Sequence, residues 1–374
     1  MKRPAESSKC DGAPPVNILF LVPTIHDLQT GGNVFNRRII EGLRPDHREE
    51  VVSRMRPEAA VRVVSWAPEE TAAIDLDLSG ADVIVVDSLL AQHPDALRSV
   101  AKKHPSATLI LLVHYLHCID PRAPDTAVVA DERATLRVVD AAITTSRFVQ
   151  RAVVDQGLPD ERVQVVRPGL DEQYRGALPV RLGRRAPRLL TVANLLPEKG
   201  LRPFVEVLRG LRDLPWTWTL VGDTSLDPGY AASVFRRFQA AGLTERVTWT
   251  GPVAPEALRT WYDRASLFVL PSRFETCSLS TREAMARGLP VVAYRVGGLS
   301  ENFGDAAAGH LAPPGNSVAL RAALRSLLTD PMARAQRGFS ACRQSRAFPT
   351  WKEAAEQFRT ALAPLHARAT GRTT

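Results

Sequence analysis

The chain has 374 residues, more than one ordinary domain and enough for two of roughly 150–200 residues each. Its apolar content of 45% allows sizeable cores, but no apolar run approaches the ~18 residues of a membrane span, and the N-terminal MKRPAESSKCDGAPPV lacks the apolar stretch of a signal peptide. A net charge of +8 and a pI near 9.7 suit either an arginine-rich solvated surface or an anionic ligand, while Cys10, Cys118, Cys277 and Cys342 lack metal or CxxC spacing and read as reduced thiols of a cytosolic protein.

In chain order, a flexible leader (1–16) precedes an alternation of β-rich and helical segments. Strands are expected at 17–24, 61–66, 81–88, 108–115, 141–146 and 162–169, each an apolar, β-branched run of the kind buried on both faces of a parallel sheet. Helices read between them. NVFNRRIIEGL follows the pair Gly31-Gly32, DALRSVAKKH follows the third strand, and RFVQRAVVDQG is opened by Ser146 and closed by Gly157.

Residues 176–187, GALPVRLGRRAP, are rich in Pro, Gly and Arg and read as a linker. A second alternation follows, with strands at 188–195, 216–223, 246–251, 266–272 and 290–295, then three helical segments. The expected organisation is a domain at 17–175, the linker, a domain at 188–348, a C-terminal helix at 349–368 and a frayed tail at 369–374. The fold class is α/β, two Rossmann-like domains facing a central cleft. Ligands of such sheets bind beyond the carboxyl ends of the strands, where strand order reverses.

The loop chemistry concentrates in PSRFETCSLSTREAMARGLPVVAYRVGG (271–298). A strand ends near Ser272, Glu275 lies on the loop after it, and Glu283 lies in the first turn of the next helix, with Gly288 and Pro290 as stop signals. The N–H groups of Ser278, Leu279 and Ser280 would then point out of a helix N-terminus, a ready anion site. Two readings of Glu283 stay open. Ser280-Thr-Arg-Glu283 fits a capping box, in which the glutamate only returns to the Ser280 N–H. Alternatively, both carboxylates accept hydrogen bonds from sugar hydroxyls beside a bound phosphate.

This stretch resembles the retaining, nucleotide-sugar-dependent glycosyltransferases of family 4, which have the GT-B fold. The matching features are Glu275-x7-Glu283, EAMA (283–286), Gly288, PVVA (290–293) and Gly297-Gly298-Leu-Ser-Glu301. The resemblance implies that Glu283 binds the nucleoside ribose and Glu275 the donor-sugar hydroxyls. Ser278 departs from the glycine often found there. In LLTVANLLPEKG, Lys199-Gly200 matches the family's diphosphate-binding loop, and Asn194 replaces its usual arginine. Lys199 is also the only lysine between Lys103 and Lys352, so a compact ammonium here points to a phosphate contact. Arg273 or Arg295 is the candidate replacement for the lost cation.

In the N-terminal half, the resemblance places the Gly31-Gly32 loop over the donor phosphate and His114 opposite the donor sugar, with His117 as the fallback and His26 as an acceptor-side candidate. Gly169 and Asp171 match the exit from the first domain, where Pro168 replaces an asparagine. The family relationship also implies that the C-terminal helix crosses back to the first domain. Asp75-Leu-Asp77 has the metal-binding D-x-D pattern of another glycosyltransferase fold but no supporting cluster, and no metal site is expected.

The implied activity is metal-independent transfer of a sugar, with retention, from a nucleotide-diphosphate sugar (a UDP- or GDP-sugar) as co-substrate to an unidentified acceptor. No other cofactor, no nucleic-acid partner and a cytoplasmic location are expected, with Arg37 and Arg38 as the residues for any peripheral contact at the inner membrane face. Two alternatives stand beside it: another enzyme of the same fold, such as a nucleotide-sugar epimerase, and a non-catalytic sugar-nucleotide-binding partner subunit.

Overall fold

The computed structural model describes residues 16–24, 29–44, 60–68, 76–179, 186–304 and 308–371. Most of the expected leader, His26, Asp75, residues 180–185 of the expected linker and residues 372–374 lie outside them.

The first sheet contains β1 (Ile18–Pro23), β2 (Val61–Trp66), β3 (Val83–Asp87), β4 (Thr108–Val113), β5 (Ala141–Thr144) and β6 (Val163–Val165), all parallel, in the order β2-β1-β3-β4-β5-β6. Its helices are α1 (Gly31–Leu43), α2 (Pro94–Lys103), α3 (Ala127–Leu136) and α4 (Arg147–Asp155). Strands β1, β3 and β4, reading ILFLVP, VIVVD and TLILLV, are buried along their whole length. Crossover helices cover both faces of a parallel sheet, and the continuous apolar runs answer that requirement.

The second sheet repeats the plan with β7 (Arg188–Val192), β8 (Thr217–Val221), β9 (Val247–Gly251), β10 (Leu267–Leu270), β11 (Val291–Tyr294) and β12 (Gly309–Ala312), in the order β12-β11-β10-β7-β8-β9. Its helices are α5 (Leu201–Arg209), α6 (Pro228–Ala240), α7 (Pro255–Arg264), α8 (Leu279–Ala286), α9 (Ser317–Thr329) and α10 (Pro331–Ser345). Strand β12 escapes the sequence pattern because GHLA contains no β-branched residue; it forms by pairing with β11 at the sheet edge. In the other direction, β6 is shorter than the expected 162–169. Beyond Val165 the chain leaves the sheet, and the Leu170 N–H donates to the Pro349 carbonyl at 2.8 Å.

Strand order reverses between β1 and β3 in the first sheet and between β7 and β10 in the second. These switch points open a crevice at the carboxyl ends of the strands. The start of α1 after β1, the end of β3 and the loops after β7 and β10 bring Gly31, Asp87, Lys199 and Glu275 to the two crevices.

A last helix, α11 (Trp351–Ala369), starts at a capping box, with the Glu353 N–H donating to Thr350 Oγ1 at 3.1 Å and the Thr350 N–H to Glu353 Oε2 at 2.7 Å. It crosses back to the first domain, where Phe358 stacks on Phe20 with ring centroids 5.8 Å apart and Trp351 meets Phe35 edge-on. Alanines 354 and 355 and Leu362 complete its buried face against α1 and β1. Among the described residues, no helix is long and apolar enough to cross a membrane.

Phe358 is fully buried, so Phe358→Ala should lower stability by about 3–5 kcal/mol. Urea denaturation followed by circular dichroism checks this; an unchanged midpoint would show that α11 lies outside the cooperative core.

Candidate functional site

On the second domain, two neighbouring loops are fastened to each other. After β7 the chain makes a short 3₁₀ turn, Pro197–Lys199, and reaches Gly200 at φ +65°. A Cβ on Gly200 would lie 2.1 Å from the Pro271 carbonyl oxygen, so only glycine fits. The Arg273 N–H donates to the Glu198 carbonyl at 2.7 Å, which ties the turn to the loop after β10. This approach lets Lys199 Nζ reach Glu275 Oε1 at 2.9 Å, and Ser272 Oγ donates to the same oxygen at 2.7 Å. Glu275 is 8% exposed. Burial works against the Lys199 charge, but Glu275 and Glu198 outweigh it and hold the ammonium pKa above its ordinary value. The Arg273 side chain is exposed. Asn194, at the head of the first loop, accepts from the Asp223 N–H at 3.1 Å and donates across to the Gln29 carbonyl at 3.4 Å.

The opposite side of Glu275 is held by Gly297-Gly298. The Gly298 N–H donates to the Glu275 carbonyl at 2.8 Å, and a Cβ on Gly298 would lie 2.0 Å from the Thr276 oxygen. The loop then enters α8 through Ser278, whose φ of +67° makes it the sole non-glycine among the described residues at positive φ. Ser278 makes no side-chain cap; its Oγ donates to Thr281 Oγ1 at 2.9 Å. The first-turn N–H groups, including those of Leu279 and Ser280, thus have no side-chain acceptor capping them.

The capping-box reading of Glu283 is corrected here. Left-handed Ser278 is the N-cap, so Ser280 sits inside the helix and Glu283 is its fifth residue, just past the first turn. Instead, Glu283 Oε2 accepts from the Tyr262 hydroxyl of α7 at 2.6 Å. Burial raises the carboxyl pKa from 4.5 to about 7, against the lowering effect of that hydrogen bond. Tyr262 is fully buried and carried no signal in the sequence beyond a helical apolar position.

Facing these loops, α1 starts at Gly31 with Thr30 as N-cap, its Oγ1 accepting from the Asn33 N–H at 3.2 Å. A Cβ on Gly31 would lie 4.0 Å from Leu279 Cδ1, so the N-termini of α1 and α8 oppose each other across the cleft. A Cβ on Gly32 would meet the His114 ring at 3.0 Å. His114 Nε2 lies 2.7 Å from Asn36 Oδ1, while Asn36 Nδ2 donates to Asp87 Oδ2 at 2.5 Å. Because the Asn36 amide nitrogen faces Asp87, its oxygen must accept, which puts the proton on Nε2 and leaves Nδ1 as the ring's acceptor. Burial lowers the His114 pKa, with Asp87 opposing. Asn36 and Asp87 were not singled out in the sequence, although an aspartate ending a wholly buried strand was the available signal. His117 takes a different position: Nδ1 pairs with buried Glu132 Oε1 at 2.9 Å, and the ring is 43% exposed. Asp77, from the D-x-D, bonds Ser79 and Arg62.

The two halves are joined beside the site. Ser146 Oγ donates to the Thr276 carbonyl at 2.7 Å, and the Glu301 carboxylate accepts from the N–H groups of Arg147 and Phe148 at 3.2 and 2.7 Å. A carboxylate at the N-terminus of α4 meets the positive end of the helix dipole. Phe274 packs edge-on against Tyr115 and Phe148. In all, the structure brings together Gly31, Gly32, Lys199, Glu275, Ser278 and Leu279, with His114 against Gly32 and Glu283 further along α8.

Residues 186–330 match the family model described as Glycosyl transferases group 1. The chain is 31% identical over 191 residues to the amylovoran biosynthesis glycosyltransferase AmsK of Erwinia amylovora, covering 49% of this chain and 46% of that protein. It is 30% identical over 217 residues to the 2-deoxystreptamine glucosyltransferase of Streptomyces kanamyceticus, covering 54% and 55%. The chain thus spans about half the length of these curated relatives. Among solved structures, it resembles sucrose-phosphate synthase from Thermosynechococcus elongatus with a TM-score of 0.74 at 20% identity, over 94% of this chain and 100% of that one. Anabaena HepE, in complex with UDP and glucose, gives 0.73 at 20% identity, over 93% and 99%. The two-sheet architecture and these likenesses show the GT-B fold.

Two outcomes follow from the geometry. Ser278→Gly should stabilise the protein by about 1 kcal/mol by relieving the left-handed strain, read from the urea midpoint; a loss of stability would show that the Thr281 hydrogen bond outweighs it. The Glu283 proton is held to higher pH in the folded than in the unfolded chain, so its contribution favours folding at low pH and is lost as pH rises from about 4.5 to about 7. In Glu283→Gln, the thermal-stability profile should be flatter over that window.

Proposed function

We propose, for a chain that carries a glycosyl transferases group 1 segment over residues 186–330, that it transfers a sugar from a nucleotide-diphosphate sugar to an acceptor hydroxyl, with retention and without a metal ion. The observation that carries this reading is the Lys199–Glu275 pair, 2.9 Å apart at the β7/β10 switch point and beside the N-terminus of α8. The paired groups have opposite tasks. An incoming diphosphate competes with Glu275 for the Lys199 ammonium and lies against the first-turn N–H groups of α8. Glu275 is thereby released to accept hydrogen bonds from sugar hydroxyls, held in place by Ser272. Charge developing on the leaving diphosphate is met by groups already in position, the arrangement that usually supplies the largest part of a rate enhancement.

Glu283, braced by Tyr262, accepts from the nucleoside ribose. His114 presents Nδ1 toward the donor sugar from the opposite wall, with its orientation fixed by Asn36 and Asp87. The departing phosphate takes the acceptor proton from the same face. Gly31 leaves room for the diphosphate to approach the backbone, while the absence of a side chain at Gly32 lets the His114 ring lie against α1. Anabaena HepE, a structural neighbour, has been solved with UDP and with UDP-glucose, and a UDP- or GDP-sugar is the donor class we favour here. The relatives named as glycosyltransferases support the same reaction class.

A thermal-shift panel of uridine, guanosine, adenosine and thymidine diphosphate sugars tests the donor, because a ligand of the folded state raises the melting temperature. Glu275→Gln should lower kcat/KM by about 10²–10³-fold while sparing nucleoside-diphosphate affinity. Turnover near that of the wild type would remove Glu275 from the assignment, and binding without turnover across a broad acceptor set would favour a non-catalytic sugar-nucleotide binder. Since ionised Glu283 is the better acceptor, nucleotide affinity should rise as pH increases through about 7 and level off above it. Calorimetric titration from pH 6 to 8 reads this, and Glu283→Gln should remove the dependence.

A further inference from the structure

Among the described residues, the two most exposed large apolar side chains belong to one helix: Met332 is 77% and Phe339 66% exposed, both on α10. Two helical turns separate them, so they share a face. Gln336 lies between them on that face, and Arg343 and Arg346 continue the stripe to the helix end, all exposed. The other side of α10 keeps this stripe turned outward. Gly338, Ala341 and Ser345 are its buried residues, and a Cβ on Gly338 would lie 2.3 Å from the Gly288 carbonyl oxygen, so the helix sits directly on the chain leaving α8. Arg334 Nη1 donates to the Leu327 carbonyl at 2.6 Å and Arg337 Nη1 to the Gly309 carbonyl at 3.2 Å, which fixes the rotation of α10 about its axis.

Charge in this part of the chain is one-sided. Between Asp305 and Glu353 the sequence holds six arginines and one lysine against a single carboxylate, Asp330. Asp330 caps α10, accepting from the Ala333 N–H at 2.9 Å. Arg343 and Arg346 take part in no ion pair among the described residues. On α1, where the sequence placed any peripheral contact, Arg38 is instead paired with Asp171 at 2.6 Å and Arg37 donates to Gln29 Oε1 at 3.2 Å.

An apolar pair continued by unpaired arginines, with no carboxylate on the stripe, is complementary to a surface that offers negative charge above an oily layer. A second copy of the chain would bring the same unpaired arginines to the contact. Two large apolar side chains are also few for the core of a stable protein interface. We propose that α10 docks the second domain on an anionic lipid surface, with Met332 and Phe339 inserted among the headgroups and Arg343 and Arg346 against lipid phosphates. The contact is separate from the Lys199–Glu275 pair and does not depend on the reading of the activity.

The test sediments the full chain with vesicles of equal parts phosphatidylcholine and phosphatidylglycerol, and with vesicles of phosphatidylcholine alone. The wild type should bind the mixed vesicles, bind the neutral ones at least about 10-fold more weakly, and be released by raised salt. Met332→Ser with Phe339→Ser, and separately Arg343→Ser with Arg346→Ser, should each lower the partition coefficient on mixed vesicles by about 10-fold or more, whereas Arg37→Ser should leave it unchanged. All four positions are exposed, and circular dichroism confirms that the variants fold. Failure to bind the mixed vesicles, or binding that both α10 variants retain, would overturn the proposal. So would a lipid-free dimer in analytical ultracentrifugation that Met332→Ser with Phe339→Ser abolishes, since a second copy would then be the occupant.

Discussion

The site is organised around one constraint: a carboxylate and an ammonium from separate strand-end loops must meet in a space closed on both sides by backbone. Lys199 reaches Glu275 because Gly200 lets its loop lie against the Pro271 carbonyl. Glu275 stays put because Gly298 lets a third loop lie against Thr276. These contacts need the loops after β7, β10 and β11 to be neighbours, and the strand order of the second sheet makes them so. The ion pair is therefore a product of topology more than of local sequence. Its two members are far apart in the chain, and neither has a nearby residue in sequence that would predict the other as its partner.

Much of this was legible in the sequence, for identifiable reasons. Buried parallel strands need unbroken apolar runs, so β1, β3 and β4 were plain, and so was the duplication of the α/β plan. Glu275, Glu283 and the glycines that let the loops meet were singled out by the resemblance of their segments to a known family, and Lys199 also as the only lysine between Lys103 and Lys352. The unread parts share a different cause. Strand β12 owes its conformation to pairing with β11 and not to its own residues. Tyr262 and the Asn36–Asp87 pair act through hydrogen bonds whose partners are distant in the chain. The Ser280–Glu283 spacing was compatible with two local geometries, and a single backbone angle at Ser278 chose between them.

The contacts between domains show a similar economy of means. Glu301 belongs to the Gly-Gly-x-x-Glu segment whose glycines pack against the Glu275 loop, and its carboxylate binds the first turn of α4. One short segment therefore both shapes the Glu275 loop and couples it to the opposite domain. The Gly298 N–H that bonds the Glu275 carbonyl and the Glu301 carboxylate that bonds the first turn of α4 stand only three positions apart.

The position of α11 has a consequence for the order in which the protein is made. Phe358 and its neighbours fill a face of the first sheet that includes Phe20, so the first of the two domains depends for its last layer on residues 351–369. On the ribosome, β1 and α1 emerge some 330 residues before the helix that covers them. Throughout that interval the nascent first domain presents an uncovered apolar surface. Without α11, Phe20, Phe35 and Ile39 on that face would meet water.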